Sequence, residues 1–593
     1  MSTAQTDFTR ALKTEAKSLS DAARKYRTRR KRHPPPGFSA WYAFAVQHGA
    51  VVVESFWDQI YDDLAPFWGI DPPVLRMKAA AVGPRVEVRD GVVRLDAKGK
   101  NDRLRLWENM LGALAREKHV LLPDVDVPFN SNAEPGLVVP WETIDTALEL
   151  ARPILAAPMD VLTQFSSYDS DQQIANYTFD PEWLGARLTH PTSSRGPRPY
   201  WSLVRPACHP RSWTRKTSLF VDIWHPQGHT SSAHSAANML PTTFPNGSEA
   251  FGGFVGNWSR AGDVCALPEL QGLHGGFVGP ESMSASVKFF PWFGAVKFSV
   301  GNDVLIPGGS AWNESLYSLG TGEEEEGVRV AWEEKQDVLF WRGPATGGHN
   351  TALNWQRFHR HRFVSMMNAS HVAFAEASLR TPVNGEPENA GVGPAGTFRL
   401  LAQNPYHLPE QTNGTLAEWI HSWADVAFTD LHCDELSPSD HCPYNSDFFS
   451  VTAPPAPREQ EKYKYTAILD GNGSDNDSEF INALRREVVP LRASVYRHWF
   501  DGRLWPWVHF VPLDNTFVDV YAIGRFFRGR HRDDSHDNQA RRIALAGKEW
   551  AEKVLRKEDM LIYLYRLLLE YARVVDDKRE RLGWVGDLVG EGD

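Results

Sequence analysis

The stretch Tyr463-Lys464-Tyr465-Thr466-Ala467-Ile468-Leu469 runs directly into the turn Asp470-Gly471-Asn472-Gly473, and this junction sets the fold class. Aromatic, branched and apolar residues predict a strand, and the glycines end it. A helix is expected from about Ser478 to Arg486, followed by a strand at Val488 to Ala493. This order of elements predicts an α/β fold with a parallel sheet. Ligands of such sheets bind beyond the carboxyl ends of the strands.

Further elements are expected on both sides of this stretch. Apolar runs predict strands at His119 to Leu122, Val338 to Trp341 and Trp507 to Val511. Helical periodicity predicts a helix that begins at Asp102 and further helices at Asn354 to Met367, Gln539 to Leu555 and Asp559 to Val575. The alternation of strands and helices is clearest between residues 335 and 530. The parallel sheet is therefore expected in the second half of the chain.

The length of the chain predicts more than one structural unit. At 593 residues it is too long for a single hydrophobic core. Three prolines at Pro34 to Pro36 end a charged helical segment, because proline cannot continue a helix. We expect a charged stem at 1–33, an N-terminal lobe at 34–330, a C-terminal lobe at 331–538 and C-terminal helices at 539–593.

Charge and hydropathy exclude some classes of protein. The net charge of -11 argues against nucleic acid as a partner. No apolar window of 18 residues predicts a membrane span, and Met1 to Asp21 lacks an apolar signal core. Eight Asn-x-Ser/Thr sequons nevertheless fit a secretory protein, so membrane attachment is expected only through an anchor outside this sequence. The four cysteines fit either two disulfides, with a local Cys433–Cys442 pair, or four buried thiols.

The turn after Trp341 is the first candidate binding site. Its sequence, Arg342-Gly343-Pro344-Ala345-Thr346-Gly347-Gly348, joins a strand to a helix, where backbone N–H groups attract phosphate. Arginines at 342, 357, 360 and 362 carry guanidinium groups that suit a diphosphate. The pattern is not an established phosphate-binding fingerprint, and a purely structural turn is the alternative interpretation.

The loop after Leu469 is the second candidate. It begins with Asp470 and Gly471 at the carboxyl end of a strand. It continues as Ser474-Asp475-Asn476-Asp477-Ser478-Glu479, and three acids beside a diphosphate would repel it unless a metal intervened. The loop by itself therefore argues against simple phosphate binding.

Two weaker patterns remain. Asp124-Val125-Asp126 has the spacing that many sugar transferases use to hold a divalent metal, although chance is the simpler explanation in an acidic chain. Trp505, Trp507 and His509 cluster near one predicted strand and could stack on a sugar ring, although most of the 22 tryptophans must be structural. Neither Cys-x-x-Cys nor a Cys/His cluster with zinc spacing occurs, so no structural metal is expected.

Several longer motifs carry a resemblance to a known family. They are His33-Pro34-Pro35-Pro36-Gly37-Phe38 with Trp41-Tyr42, Tyr61 to Gly69, Leu122 to Asn130, Pro140-Trp141-Glu142, Trp341-Arg342-Gly343 and Pro506-Trp507-Val508-His509-Phe510-Val511-Pro512. In these motifs the chain resembles the fungal capsule-associated-protein-like glycosyltransferases of family 90 and, more distantly, the Rumi-like protein O-glucosyltransferases. The motifs run in family order from about residue 24 to 575.

The resemblance implies a GT-B-like fold, with two Rossmann-like lobes around a cleft. The C-terminal lobe would hold a UDP-sugar, and the N-terminal lobe the glycan or glycoconjugate acceptor. The resemblance further implies that the sugar is transferred with inversion and without a metal or other cofactor. UDP-xylose would be the leading donor and UDP-glucose the alternative. The protein would be located in the lumen of the Golgi or the endoplasmic reticulum. Donor contacts would come from Trp341, Arg342, Gly343, Arg357, Arg360, Arg362, Asp470, Gly471, Ser478 and Glu479, and cleft contacts from Asn130, Trp507 and His509.

Two departures from the family pattern bear on activity. Ala133 stands where the family carries the aspartate that resembles a general base, which leaves Glu134, Asp126 or Asp124 as candidates. Glu479 stands where the family carries an arginine that faces the donor phosphates. Losing both groups would cost orders of magnitude in rate. An active transferase and a catalytically silent relative that binds a glycan or partner are therefore both kept as hypotheses.

Overall fold

The computed structural model describes residues 1–96, 102–132, 134–166, 200–217, 250–251, 253–280, 286–312, 330–351, 354–380, 391–401, 406–431, 448–456, 459–472, 476–529 and 534–590. Ala133, Cys433 and Cys442 lie outside these ranges. None of the described helices combines the length and the apolar character that crossing a lipid bilayer requires.

The described residues form twelve strands in four sheets. The strands are β1 (Arg85–Arg89), β2 (Val92–Asp96), β3 (Val125–Pro128), β4 (Ala250–Phe251), β5 (Phe254–Val255), β6 (Phe293–Gly294), β7 (Val304–Leu305), β8 (Gln336–Pro344), β9 (Ala424–Asp430), β10 (Tyr463–Leu469), β11 (Val489–Ala493) and β12 (Val511–Pro512). The largest sheet is fully parallel, in the order β12-β11-β10-β8-β9. A smaller antiparallel sheet has the order β2-β1-β3.

The described residues also form twenty-one α-helices. They are α1 (Ser2–Leu12), α2 (Leu19–Arg30), α3 (Phe38–Gln47), α4 (Asp58–Leu64), α5 (Pro72–Ala81), α6 (Asp102–Ala115), α7 (Trp141–Leu150), α8 (Trp201–Ala207), α9 (Trp213–Lys216), α10 (Trp258–Ala261), α11 (Gly275–Val278), α12 (Gly309–Trp312), α13 (His359–Met366), α14 (Ala369–Arg380), α15 (Pro409–Asn413), α16 (Leu416–His421), α17 (Asn476–Arg485), α18 (Val520–Arg528), α19 (Asp537–Val554), α20 (Lys557–Val574) and α21 (Gly586–Val589).

The parallel sheet is built on β10, whose seven residues are all buried. In register, Thr466 lies opposite Phe340 of β8 and Pro490 of β11. Helices α17 and α19 pack against β10 and β11, respectively. Burial on both faces explains why the strand reads as a nearly continuous apolar run, since a parallel sheet is covered on each side.

A second apolar core joins the two ends of the chain. It includes Trp41 from the first half together with Phe480 and Leu564 from the second. Helix α20 is buried from Asp559 to Val574. The hydroxyl of Tyr26 in α2 donates to Glu570 Oε1 of α20 at 2.9 Å. The N-terminal helix α2 is therefore anchored to the C-terminal helix α20.

Most of the predicted elements in the second half of the chain are confirmed. The strands β8, β10 and β11 and the helices α6, α17, α19 and α20 lie within three residues of the expected positions. The strand predicted at His119 to Leu122 is wrong, and His119 has a left-handed φ of 69°. The strand predicted at Trp507 to Val511 begins only at Val511, as β12, and Trp507 has a left-handed φ of 65°. The predicted helix at Asn354 to Met367 is interrupted, since a short 3₁₀ turn ends at Arg357 and α13 begins at His359.

Candidate functional site

Two loops meet at the carboxyl end of the parallel sheet. One follows β8 and the other follows β10, its neighbour in the sheet. The backbone N–H of Gly347 in the first loop donates to Asn472 Oδ1 of the second at 3.0 Å. The two glycine-containing turns that the sequence singles out therefore lie side by side, at the edge where ligands of parallel sheets bind.

Arg360, in the first turn of α13, lies between these loops. Its Nη1 donates to the Pro344 carbonyl at 3.0 Å and to Thr346 Oγ1 at 2.8 Å. Its Nη2 is 3.4 Å from the Leu469 carbonyl. A Cβ added at Gly471 would lie 2.3 Å from Nη2 and would displace the guanidinium. Arg360 is thus held in place by both loops and brings a positive charge to the point where they meet.

Glu479 faces this guanidinium. Its Oε2 lies 4.0 Å from Arg360 Nη2, and its side chain remains partly exposed. Burial raises the pKa of Glu479, and the positive charges of Arg360 and Arg486 act in the opposite direction. The neighbouring Ser478 lies beside it in α17. The residue that departs from the family pattern therefore lies next to the best-placed cation of the site.

The other three arginines have different surroundings. Arg342 hydrogen bonds to the side chain and, at 2.8 Å, to the carbonyl of Asp425 on β9. Arg362 is fully buried and donates to the Leu273 and Asn515 carbonyls at 2.8 and 2.6 Å, and burial lowers its pKa to about 9. Arg357 is buried as well, and burial lowers its pKa to about 10. Arg360 is thus the arginine whose hydrogen bonds join the two loops.

A segment from the first half of the chain packs on the glycine-rich turn. The N–H of His349 donates to the Gly279 carbonyl at 2.6 Å. A Cβ added at Gly275 would lie 2.0 Å from the Gly347 carbonyl oxygen, which only glycine permits. Helix α11 therefore covers one side of the turn, while Trp341 lies buried against Phe428.

Asp470 is the centre of a buried polar cluster beside these loops. Its Oδ2 accepts the Val495 N–H at 2.7 Å and lies 3.2 Å from His274 Nε2. Burial alone would raise the pKa of Asp470, but the hydrogen bonds from His274 and Ser494 and the charges of His274 and His359 lower it to about 2. Asp470 is therefore a buried negative charge beside the loops that follow β8 and β10.

His274, His359 and Asp470 form the one group among the described residues with the composition and spacing of a metal site. One ligand atom of each lies within 4.8 Å of the others. However, His274 Nδ1 accepts the Gly276 N–H at 3.1 Å, so its proton is on Nε2 and points to Asp470. A ring nitrogen that carries a proton does not bind a metal. We therefore describe the group as a hydrogen-bonded cluster.

A second set of buried polar groups surrounds the segment after β3. Asp303 is fully buried and accepts the N–H groups of Gly136 and Leu137 at 2.9 and 3.0 Å. Burial raises the pKa of Asp303 to about 6, although these hydrogen bonds lower it. Asn130 Nδ2 donates to the Glu134 carbonyl at 2.7 Å and lies 3.4 Å from Asp303 Oδ1. Glu134, one of the three carboxylates proposed from sequence, is thus buried in a tightly bonded loop.

The other two candidate carboxylates have partners. Asp126 is buried in β3, where Arg89 Nη2 donates to its Oδ1 at 2.8 Å. Asp124 Oδ1 accepts the N–H of Asp90 at 2.8 Å. Both belong to the antiparallel sheet and its edge.

Trp507 and His509 lie before β12, which places them at the amino end of the parallel sheet. The indole N–H of Trp507 donates to the Val255 carbonyl at 2.7 Å. His509 is buried between Phe8 and Trp550, and burial lowers its pKa to about 3. Neither residue lies beside the loops that carry Arg360, because those loops leave the carboxyl ends of the strands.

Sequence reasoning missed His274, His359 and Asp303. Each is buried, and each meets its partners across long sequence separations, such as 196 residues between His274 and Asp470. A single histidine or aspartate without a motif gives no signal of such a contact. A disulfide joins Cys208 and Cys265, whereas the predicted Cys433–Cys442 pair lies outside the described residues.

Comparison with known proteins gives a match to the part of the chain that contains β10, β11 and β12. Residues 456–582 match the model of "Glycosyl transferase family 90". Protein O-glucosyltransferase 2 of Danio rerio is 29% identical over 113 residues, which are 19% of this chain and 21% of that protein. Protein O-glucosyltransferase 3 of Rattus norvegicus is 29% identical over 111 residues, or 19% and 20%. The human Protein O-glucosyltransferase 3 is 25% identical over 119 residues, or 20% and 22%. The matched stretch spans about a fifth of each relative.

Proposed function

The C-terminal part of the chain carries a region of glycosyl transferase family 90, and from this premise we propose that the protein is a glycosyltransferase. In this proposal a sugar moves from a UDP-sugar to a hydroxyl of a glycan or glycoconjugate, with inversion at the anomeric carbon. Xylose is the favoured sugar. Glucose is the alternative, because the similar proteins are named O-glucosyltransferases. A metal or another cofactor is not part of the proposal.

The observation that carries the proposal is the position of Arg360. Its guanidinium lies between the two loops that follow β8 and β10. A departing UDP needs a cation to stabilise its developing charge, and arginine suits a diphosphate because it offers several N–H donors in one plane. We assign the donor side to residues 331–538 and the acceptor side to residues 34–330, in a two-lobed GT-B-like arrangement.

Inverting transfer also needs a carboxylate that takes the proton of the acceptor hydroxyl. Glu134 is the candidate we favour, since Asp126 is neutralised by Arg89 and Asp124 is bonded to the Asp90 N–H. Glu134 lies in the loop that Asp303 fixes through Gly136 and Leu137. Such fixation would keep the carboxylate in one orientation, which general base catalysis requires.

A catalytically silent relative that binds a glycan or partner is the second candidate function. The contact between Arg360 and Glu479 favours it, because a carboxylate at 4.0 Å competes with the donor phosphates for the guanidinium. The sequence adds Ala133 at the expected base position. In this alternative the fold is retained while the chemistry is lost.

The two functions differ in a direct assay. The purified chain is incubated with UDP-xylose, UDP-glucose or UDP-glucuronate and a mannose-containing acceptor, and released UDP is measured. UDP release that depends on both donor and acceptor supports the transferase, and its loss in Glu134→Gln identifies the base. If no UDP-sugar gives UDP release and none raises the melting temperature of the protein, the transferase proposal is wrong. Turnover gained only in the double variant Ala133→Asp, Glu479→Arg supports the silent relative.

We propose a secretory lumen, Golgi or endoplasmic reticulum, as the location. The Cys208–Cys265 disulfide and the sequons support it, because disulfides persist in oxidising compartments. Expressed in a eukaryotic cell from its natural gene, the protein should shift in gel mobility on enzymatic removal of N-glycans. An unshifted protein with free thiols at 208 and 265 would contradict this location.

A further inference from the structure

A cavity of about 620 Å³ lies at the amino end of the parallel sheet, away from the loops that carry Arg360. It is lined by helix α1, by the start of helix α19 and by the turn before β12. The side chains that matter here are Thr6, Arg10, Lys13, Trp507, Gln539 and Arg542. A cavity of this volume is in the range that holds small organic ligands, which is roughly 300–1,000 Å³.

The aromatic wall of this cavity is rigid. Trp507 has a left-handed backbone angle, with φ of 65°, and its indole N–H donates to the Val255 carbonyl at 2.7 Å. The ring of Trp507 also packs on Phe254, with ring centroids 5.9 Å apart. A strained backbone angle persists only where its surroundings hold it. The indole is therefore fixed while it remains half-buried and lines the cavity.

The opposite wall is anchored as well. Phe8 of α1 packs edge-on against His509 and Trp550, with ring centroids at 4.7 and 4.9 Å. This contact holds α1 against the core, and Thr6 and Lys13 line the cavity from other positions of the same segment. The cavity is thus formed between well-packed elements.

The charge of the cavity is opposite to that of the chain. Arg10, Lys13 and Arg542 line it, although the chain carries a net charge of -11. Arg10 is paired with Asp7 at 3.0 Å. Among the described residues, no carboxylate lies within ion-pairing distance of Lys13 or Arg542. Two cations without acidic partners beside a fixed indole are suited to an anionic ligand that also has an apolar ring face.

We propose that this cavity binds an acidic oligosaccharide, distinct from the donor and acceptor of the transfer reaction. A sugar ring would stack on the Trp507 indole, and the carboxylate of a uronic acid would contact Lys13 and Arg542. The hydroxyl of Thr6 and the amide of Gln539 would bond the sugar hydroxyls, since such groups both donate and accept. The proposal stands independently of catalysis, because none of these residues contacts the loops after β8 and β10.

The test measures binding of two hexasaccharides to the full-length chain by calorimetry. Hyaluronan hexasaccharide, which carries three uronic acids, is expected to bind, and mannohexaose is expected to bind at least tenfold more weakly. The affinity for hyaluronan hexasaccharide should fall as salt is raised, because exposed charges are screened. Equal binding of the two sugars, or no binding of the acidic one, would overturn the proposal.

Matched variants locate the site. Arg542→Gln and Trp507→Leu are each expected to weaken hyaluronan binding about five- to tenfold. Arg541→Gln is the control, since Arg541 is adjacent in sequence but pairs with Glu333 at 2.6 Å. An unchanged affinity in Arg542→Gln, or an equal loss in Arg541→Gln, contradicts the assignment. If vesicles with anionic lipids bind the chain and the hexasaccharide does not displace them, the ligand is a membrane surface and the proposal is wrong.

Because Arg542 is exposed, its replacement leaves the core untouched. Melting temperatures confirm folding of each variant. UDP release is measured on the same samples, so a failure of the transferase proposal is recognised separately from a failure at this cavity.

Discussion

The carboxylate of Glu479 lies 4.0 Å from the guanidinium of Arg360, at the point where the loops after β8 and β10 meet. The two residues come from helices α17 and α13, on either side of β10 in sequence. Their contact places an acid and a base of opposite charge where a donor diphosphate would bind. The affinity of this edge of the sheet for phosphate therefore depends on how strongly the Glu479 carboxylate competes with phosphate for the Arg360 guanidinium.

Glu479→Gln should strengthen UDP binding. The substitution keeps the size of the side chain but removes the negative charge beside Arg360, so the guanidinium is released for phosphate. We expect about a fivefold lower Kd, equivalent to roughly 1 kcal/mol, as measured by calorimetry. Glu487→Gln is the matched control, because Glu487 also lies 4.0 Å from a cation, Lys548, at a distance from the site. Weaker UDP binding in Glu479→Gln would show that Glu479 contacts the nucleotide favourably.

Asp470→Asn should destabilise the fold at neutral pH. The pKa of Asp470 is lowered to about 2 from an ordinary value of 3.8, so its ionised form stabilises the native state above pH 4 and this contribution is lost as pH falls towards 2. We expect a loss of roughly 2 kcal/mol at pH 7, measured by urea unfolding, that becomes smaller below pH 4. Asp534→Asn, an exposed partner of Arg525, should change stability by less than about 0.5 kcal/mol. Equal effects of the two variants would contradict the prediction.

When the pH is lowered, the His509→Asn variant should lose less stability than the parent protein. His509 Nδ1 accepts the Trp505 N–H at 3.0 Å, and its pKa of about 3 keeps the buried ring neutral while the unfolded chain takes up a proton near pH 6.5. The unfolded state binds more protons between pH 3 and 6.5, so stability falls as pH falls through that range. Between pH 7 and 5 this amounts to roughly 2 kcal/mol, which the asparagine variant should lack. A parallel pH profile in both proteins would show that His509 is charged when folded.

Replacing Cys208 and Cys265 together with serine should lower the melting temperature. The disulfide closes a loop across 57 residues, and loss of such a constraint on the unfolded chain costs roughly 4 kcal/mol. The parent protein in dithiothreitol should approach the melting temperature of the double variant, as followed by circular dichroism. An unchanged melting temperature in the double variant would mean that this disulfide contributes no stability.

The sequence predicted the parallel sheet because burial on both faces produces long apolar runs. Strand β10 is the clearest case, with seven buried residues from Tyr463 to Leu469. Strand β9, Ala424–Asp430, was missed because it is an edge strand with mostly half-buried residues, and its composition is mixed. The strand predicted at Trp507 to Val511 begins only at Val511, because apolar content alone does not report the left-handed angle of Trp507.

The candidate site was predictable only in outline. The sequence placed both glycine-containing turns after strands, and the structure shows that the turns at Gly347 and Asn472 meet because their strands are neighbours in the sheet. Sequence alone does not indicate which arginine lies between these turns. Arg360 does so because it leaves the first turn of α13, whereas Arg342 points along the sheet to Asp425. His274 enters from another part of the chain, and no local pattern indicates that contact.

The hydrogen bond between Tyr26 and Glu570 spans 544 residues of sequence. A ribosome adding about 5–20 residues per second needs roughly half a minute to two minutes to make the intervening chain. During that time helix α2 lacks its contacts with α20, and the part of the Tyr26 side chain that α20 covers stays open to water. Completion of the apolar core that joins the two ends of the chain therefore waits for the last part of the polypeptide, which makes the newborn protein a natural client for chaperones.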